Sequence, residues 1–265
     1  AKGFIGKNIK FFLKKKKNIK ILEHSKKKSI QSLKKKLIKA DIIIHLAGEN
    51  RSLKREDYKK NNILITSKIC EFLFKNKIKI PIIFSSTTQF NKNTFYGKSK
   101  KKSEKILIDF KKKNNSIVNI LRLPNEYGKW SKPNYNSAVA TFCYNLSRNI
   151  KLKIDNKKSN LNLLYIDDLM NQIYEMTQIP CKKTFPIIKN VKKTNLGDLI
   201  KKLNLIKSKR CSSEFSYLKN KFIKNLYSTY ISFLPLSEIQ YGLLKKEDKR
   251  GEFIEFGKFE NFGQV

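Results

Sequence analysis

The chain has 265 residues, 40% hydrophobic and 11% aromatic, enough to build a core and too many for a disordered polymer. Its formal net charge of +38 comes from 53 lysines against 6 arginines, scattered through nearly every helical stretch among Ile and Asn. That pattern describes solvated helix faces and argues against a nucleic-acid surface, where clustered arginine is expected.

Four well-separated cysteines without a CxxC pair suggest reduced thiols in a cytoplasmic protein, and two histidines are too few for a His-based metal site. No apolar run reaches the roughly 18 residues of a membrane span.

The chain opens on AKGFIGKN, where Gly3 and Gly6 fit the latter part of a G-x-x-G-x-x-G turn. Glycine there lets the backbone approach a pyrophosphate, and the following helix aims its first amides at the phosphates, so Gly3, Phe4, Ile5 and Gly6 are candidate cofactor contacts. A chain that starts inside this turn and stops at GQV reads as a fragment at both ends, with the first strand of the sheet missing. A sheet lacking that strand has two unpaired edges and is expected to fold poorly alone.

IKIL (Ile19–Leu22) is the first strand candidate, followed by LEHSKKK. Glu23 could accept from ribose hydroxyls, but Ser25 and Lys26 beside it suit a 2′-phosphate, which favours NADP over NAD. A helix is expected over Ser29–Ala40, then a strand over Asp41–Gly48 that ends in two small residues, Ala47 and Gly48, against which the adenine ribose can lie, so Leu46, Ala47 and Gly48 are candidate cofactor contacts. Asn62 opens the next helical stretch, Asn62–Lys77, and is also assigned to the cofactor.

The strand Ile80–Ser86 leads into three hydroxyl residues, Ser86, Thr87 and Thr88, at the carboxyl end where open α/β sheets bind ligands. The helix Tyr96–Lys113 begins with YGKSK. With so many lysines, about one tyrosine in five has a lysine four positions on by composition alone, and Tyr217–Lys221 and Tyr241–Lys245 show the same spacing.

Only Tyr96 lies nine residues past a hydroxyl-bearing strand end. On a helix Tyr96 and Lys100 share one face, and an ammonium beside a phenol makes it a better proton donor, so Thr87, Tyr96 and Lys100 are the candidate catalytic set.

The strand Ser116–Leu123 closes this series. From Asn125 the alternation weakens into the loop GKWSKPNYNS, with Asn136 placed to cap a helix over Ser137–Arg148, and a further strand is expected over Leu161–Ile166. Apolar strands separated by helices predict an α/β fold with a doubly wound parallel sheet covered on both faces, followed by a small C-terminal substrate lobe.

In GFIG, HLAG, FSST, YGKSK, RLPNEYG and YIDD, at that order and spacing, the chain resembles the extended short-chain dehydrogenase/reductases of the nucleotide-sugar epimerase/dehydratase branch. The stretches GKWSKPNYNSAVATFCYNLSRN, LYSTYISFLP and DKRGEFIEF…GQV are more specific. They are similar to capsular-polysaccharide reductases of UDP-2-acetamido-2,6-dideoxy-hexos-4-uloses, in which a reductase domain is fused to a cupin domain.

The resemblance implies a reductase over residues 1–245, with 1–124 mainly binding NADP and 125–245 mainly binding substrate, and the opening of a truncated cupin over 246–265. It implies hydride delivery to the C4 ketone, Tyr96 as proton donor, Lys100 on the nicotinamide ribose, and Thr87, where the family usually has serine, orienting the carbonyl. Arg122, Asn125, Lys132, Asn134, Tyr135 and Asn136 are the implied ligands of the UDP-sugar. A homodimer is implied. The metal site that the family assigns to the cupin domain has no counterpart in these residues, so no metal is expected, and the lack of a long apolar run argues against a membrane partner.

Two rivals stand beside it. A sister epimerase or dehydratase with bound NAD is one, although a dehydratase usually carries an acid where Thr88 stands. A lysine-rich nucleic-acid-binding protein on a Rossmann-like scaffold is the other.

Overall fold

In the computed structural model, residues 2–264 are described apart from 155, 213, 244, 250, 256 and 260–262. The backbone divides into two units, Ala1–Pro124 with Ile166–Val191, and Asn125–Tyr165 with Lys192–Val265. Parts of the expected cupin opening over 246–265, including Val265, lie outside the described residues.

The first unit is built on three parallel strands, β1 (Ile43–His45), β2 (Ile82–Thr87) and β3 (Val118–Leu123), in the order β1-β2-β3. All six residues of the central β2 are buried, the apolar Ile82–Phe84 and the hydroxyl residues Ser85–Thr87 alike, as a strand covered on both faces requires. Helices α2 (Ile30–Leu37), α4 (Ile65–Lys75) and α5 (Phe95–Asn114) supply Leu33, Leu37, Ile69, Leu73, Leu107 and Phe110 to one core with Ile82, Phe84, Val118 and Ile120. Helix α3 (Arg55–Tyr58) and a π-helical turn over Lys59–Leu64 lead into α4.

The expected strand at Ile19–Leu22 is not one. Strand structure needs a neighbour for its backbone groups, and the segment pairs with no strand among the described residues.

Helix α7 (Ile166–Gln178) lies in the stretch expected to form the substrate lobe, yet residues 166–191 cluster with the first unit. There α7 meets α1 (Phe4–Lys14) through an edge-to-face contact of Phe12 with Tyr174, ring centroids 6.0 Å apart, and Lys16 lies over both rings. The chain after α7 runs along the outer edge of β3. The backbone amide of Ile120 donates to the carbonyl of Thr184 at 2.7 Å, and the side-chain nitrogen of Asn119 to those of Cys181 and Lys183. Otherwise unpaired edge groups are satisfied in this way. The sheet with its helices is a Rossmann-like arrangement.

The second unit has its own sheet. β5 (Asn160–Tyr165) pairs parallel with β4 (Asn125–Tyr127) and antiparallel with β6 (Lys192–Asn195). The strand expected over Leu161–Ile166 therefore forms, but outside the main sheet. Helices α6 (Ala138–Leu146), α8 (Leu196–Lys209) and α9 (Lys221–Ile231) close a core around Tyr127, Phe142, Leu163, Leu203 and Leu226.

Ser137 caps α6, its hydroxyl accepting from the Ala140 amide at 3.3 Å, so the cap falls one residue after the expected Asn136. Two further antiparallel pairs follow, β7 (Lys245–Asp248) with β8 (Gly251–Ile254), and β9 (Lys258–Phe259) with β10 (Gly263–Gln264).

Candidate active site

Chemistry in the first unit gathers at the carboxyl ends of β1 and β2. Lys100 is buried in α5, and its ammonium donates to the backbone carbonyl of Ser85 at 2.7 Å while lying 4.7 Å from the centre of the Phe84 ring. A buried ammonium needs such partners.

Gly48, just beyond β1, stands against it. A methyl carbon there would lie 3.1 Å from both the Lys100 ammonium and the Asn62 side-chain oxygen. Glycine thus leaves an exposed notch whose floor carries a cation and an amide. Ala47 beside it is exposed and Leu46 half-buried.

Asn62 ties this notch together from the π-helical turn. Its side-chain oxygen accepts from the Glu49 amide at 2.5 Å, and its nitrogen donates to the Glu49 carbonyl at 3.0 Å and to the Ser99 hydroxyl at 2.7 Å. The Asn62 backbone carbonyl takes two more hydroxyls, from Thr66 and Ser103. One buried asparagine therefore fixes the loop after β1 to the first turns of α5.

His45 is fully buried, 2.9 Å from the Thr66 hydroxyl. Burial, and secondarily the charge of Lys100, push its pKa down to about 3, so the ring is neutral at ordinary pH.

Tyr96 sits in the first turn of α5, half-buried, on the stripe of the helix that also carries Lys100. Thr94 caps the turn by accepting from the Gly97 amide at 3.0 Å. Gly97 allows the loop before the helix to pass close, since a methyl carbon on it would lie 2.6 Å from the Gln89 carbonyl oxygen and 2.7 Å from that of Lys92. Thr87 ends β2 buried, its hydroxyl accepting from the Gln89 amide at 3.2 Å.

In the same unit, α1 starts after Gly3, which has extended backbone and gives no side-chain cap, and the helix has no acid in its first turn. Space beside Gly3 is open. Phe4 and Ile5 are half-buried and Gly6 buried in that turn. An uncapped helix start with open space fits a phosphate.

Glu23 is bound by the Lys10 ammonium at 2.5 Å, which holds its carboxyl below the usual range. Lys36 donates to its backbone carbonyl. Lys26 is exposed, 3.5 Å from the Glu49 carboxylate, and Ser25 precedes it in the same turn. The residues present therefore suit a dinucleotide, whose phosphates Gly3–Gly6 would hold, with Ala47 and Gly48 beside its adenine ribose and Lys100 on its nicotinamide ribose.

The six proposed sugar-nucleotide ligands divide. Arg122 is committed within the first unit, where it makes a bidentate pair with the buried Glu104, with its Nη2 at 2.7 Å and Nε at 3.2 and 3.3 Å from the carboxylate oxygens. Its guanidinium lies 3.5 Å from the centre of the Phe90 ring and 4.3 Å from that of Phe185. The Glu104 pairing was missed in the sequence, although Glu104 continues the four-residue spacing of Tyr96 and Lys100.

Asn125 is exposed at the start of β4 in the second unit. Lys132, Asn134, Tyr135 and Asn136 form an exposed or half-exposed loop there. Trp130 and Asn134 take positive φ in that loop, the Asn134 amide donates to Thr141, and the Lys132 ammonium lies 5.3 Å from the Tyr135 ring centre.

All four cysteines are free thiols. Burial raises the Cys70 thiol to about 12 and the Cys143 thiol further, so neither is a nucleophile. Among the described residues no cluster of acids, histidines and cysteines could hold a metal, and no helix is long and apolar enough to cross a membrane.

The family model for the NAD dependent epimerase/dehydratase family matches residues 1–187. The chain is 34% identical over its whole length to the UDP-2-acetamido-2,6-beta-L-arabino-hexul-4-ose reductase of Pseudomonas aeruginosa, of which it spans 71%. Among solved structures it is similar to the capsular polysaccharide assembling protein CapF of Staphylococcus aureus, with a TM-score of 0.85 and 35% identity over 99% of this chain and 71% of that one. The enzyme WbmF of Bordetella bronchiseptica in complex with NADH shares the fold, with a TM-score of 0.57 and 21% identity over 63% of this chain and 57% of its own.

Proposed function

Since the chain belongs to the NAD dependent epimerase/dehydratase family and is an NAD(P)-dependent oxidoreductase, we propose that it reduces the C4 ketone of a UDP-4-keto-6-deoxy-N-acetylhexosamine, using NADPH, in the making of a capsular or O-antigen precursor. The observation that carries the proposal is the packing of the Lys100 ammonium against Gly48, Asn62 and the Ser85 carbonyl, on the same helix stripe as Tyr96. The name of the Pseudomonas aeruginosa relative supports the substrate class.

A reduced nicotinamide bound beside Lys100 supplies hydride. Gly48 would leave room for the adenine ribose, Asn62 holds the loop that carries it, and Lys100 would bind the hydroxyls of the nicotinamide ribose. Tyr96 gives its phenolic proton to the C4 oxygen as charge develops there, and the Lys100 ammonium favours the phenolate left behind. Thr87 orients the carbonyl through its hydroxyl. The engagement of Glu23 with Lys10 supports NADP, because its carboxylate is already neutralised, and Ser25 and Lys26 would bind the 2′-phosphate, Lys26 exchanging Glu49 for it. Asn125, Lys132, Asn134, Tyr135 and Asn136 are proposed ligands of the UDP-sugar, and Arg122 is left to Glu104.

The test is NADPH oxidation with a UDP-4-keto-6-deoxy-N-acetylhexosamine, by the native protein and by Tyr96→Phe. The native protein is expected to consume NADPH in step with the sugar, and the variant to turn over about 10²–10⁴-fold more slowly. Equal rates would remove Tyr96 from the mechanism.

A further inference from the structure

Helix α5 carries Tyr96, Lys100 and Glu104 at four-residue intervals, so the three side chains rise from one stripe. Two of them dock on adjacent residues of β2. Lys100 donates to the Ser85 carbonyl at 2.7 Å, and Glu104 accepts the Ser86 hydroxyl at 2.5 Å. Glu104 is 3% exposed and receives Arg122 of β3 as well, so one buried carboxylate joins α5, β2 and β3.

Arg122 extends the connection, because its guanidinium is stacked by Phe90 of the loop whose Gln89 and Lys92 carbonyls press on Gly97. The pair is a weak source of net stability, since the Arg122 side chain is 35% exposed and solvent screens the attraction. Its directional bonds, however, set the rotation of a helix about its axis.

We infer that Glu104, with Arg122 and Ser86, is a positioning residue that fixes the rotation of α5 and thereby the place of the Tyr96 hydroxyl. The inference rests on the assignment of Tyr96 as proton donor. It assigns Arg122 to the helix and not to the sugar nucleotide. Glu104 touches neither reactant. It acts through eight residues of helix, about 12 Å along the axis.

The experiment compares native protein with Glu104→Gln, which keeps the shape and removes the charge, and with Leu73→Ala, a core truncation in α4 that lowers stability without touching the cluster. Three quantities are read on each: melting temperature, kcat and KM for NADPH and keto sugar, and the ring ¹³C signal of Tyr96, assigned by its loss in Tyr96→Phe.

For Glu104→Gln, kcat per folded molecule falls about tenfold to a hundredfold, as expected for a misplaced reacting group, both KM values stay within about twofold, and the Tyr96 signal moves. For Leu73→Ala only the melting temperature falls. A Glu104→Gln protein with native kcat and an unmoved Tyr96 signal, whatever its melting temperature, overturns the inference. Should Glu104→Gln not fold, Ser86→Ala, which removes one donor, is judged by the same readings. If the native protein leaves the keto sugar unchanged, the proposed reaction fails, and the positioning claim is decided by the Tyr96 signal alone.

Discussion

Replacing Gly97 with alanine tests how tightly the start of α5 is fitted to the loop before it. The added methyl would sit 2.6 Å from the Gln89 carbonyl oxygen and 2.7 Å from that of Lys92, against ordinary contact near 3.4 Å, so loop and helix must separate by about 0.7–0.8 Å. Both obstacles are backbone, and no side chain can swing aside.

Overpacking of this kind costs about 1–3 kcal/mol, toward the upper end where both obstacles are backbone, while alanine returns about 1 kcal/mol as a better helix former than glycine. The net is a loss of about 2 kcal/mol, or ~4–8 °C in Tm for a chain of this size. Because Tyr96 is the preceding residue, the same displacement moves the proton donor, and kcat falls by about tenfold or more. Differential scanning calorimetry and steady-state NADPH oxidation measure the two effects. A Gly97→Ala protein with native Tm and native kcat would refute the close packing and the positional role assigned to this turn.

Further outcomes follow from neighbouring groups. At Gly48 the added carbon meets the ammonium end of the Lys100 side chain and the Asn62 side-chain oxygen at 3.1 Å each. Gly48→Ala is therefore expected to raise the KM for NADPH about fivefold or more with a Tm change under about 2 °C, read by kinetics and thermal melting. An unchanged KM would place the cofactor elsewhere.

His45 binds a proton near pH 6.5 when unfolded and only near pH 3 when folded. The unfolded chain holds the extra proton between those values, so folding stability declines as pH falls below about 6.5, by at most about 1.4 kcal/mol per pH unit from this group. His24, whose pKa is also lowered by burial and by Lys36 and Lys28, adds in the same direction. Urea unfolding at pH 7 and pH 5.5 shows the decline, and His45→Gln removes most of it. A native slope in that variant would refute the assignment.

Much of the first unit is legible in the sequence because it is written in local patterns. The apolar runs ending at Thr87 and Leu123 and the three- and four-residue spacing from Tyr96 to Lys113 need no distant information, and β2, β3 and α5 form where those patterns stand. Ile19–Leu22 has the same apolar signature but no partner among the described residues, and a run of apolar residues does not reveal whether a neighbour exists. The strand at Asn160–Tyr165 is visible while its sheet is not, since its partners Asn125–Tyr127 and Lys192–Asn195 are short, polar and far apart in sequence.

The site shows the same division. Tyr96 and Lys100 stand out by context. The duty of Arg122 depends on a carboxylate 18 residues away on another element, and Gly97 on two carbonyls of the preceding loop, so neither can be derived from spacing alone. Ser137 and Asn136 are both good capping residues, and only the backbone path decides between them.

The central claim is that hydride reaches C4 of a keto sugar nucleotide within this protein. NADPH deuterated at the transferring position of its nicotinamide, incubated with the native protein and a UDP-4-keto-6-deoxy-N-acetylhexosamine, tests it most directly. The expected product is an alcohol carrying deuterium at C4 in NMR, formed in equal amount to the NADP⁺ released. Sugar turned over with no deuterium at C4, or NADPH left intact, would contradict it.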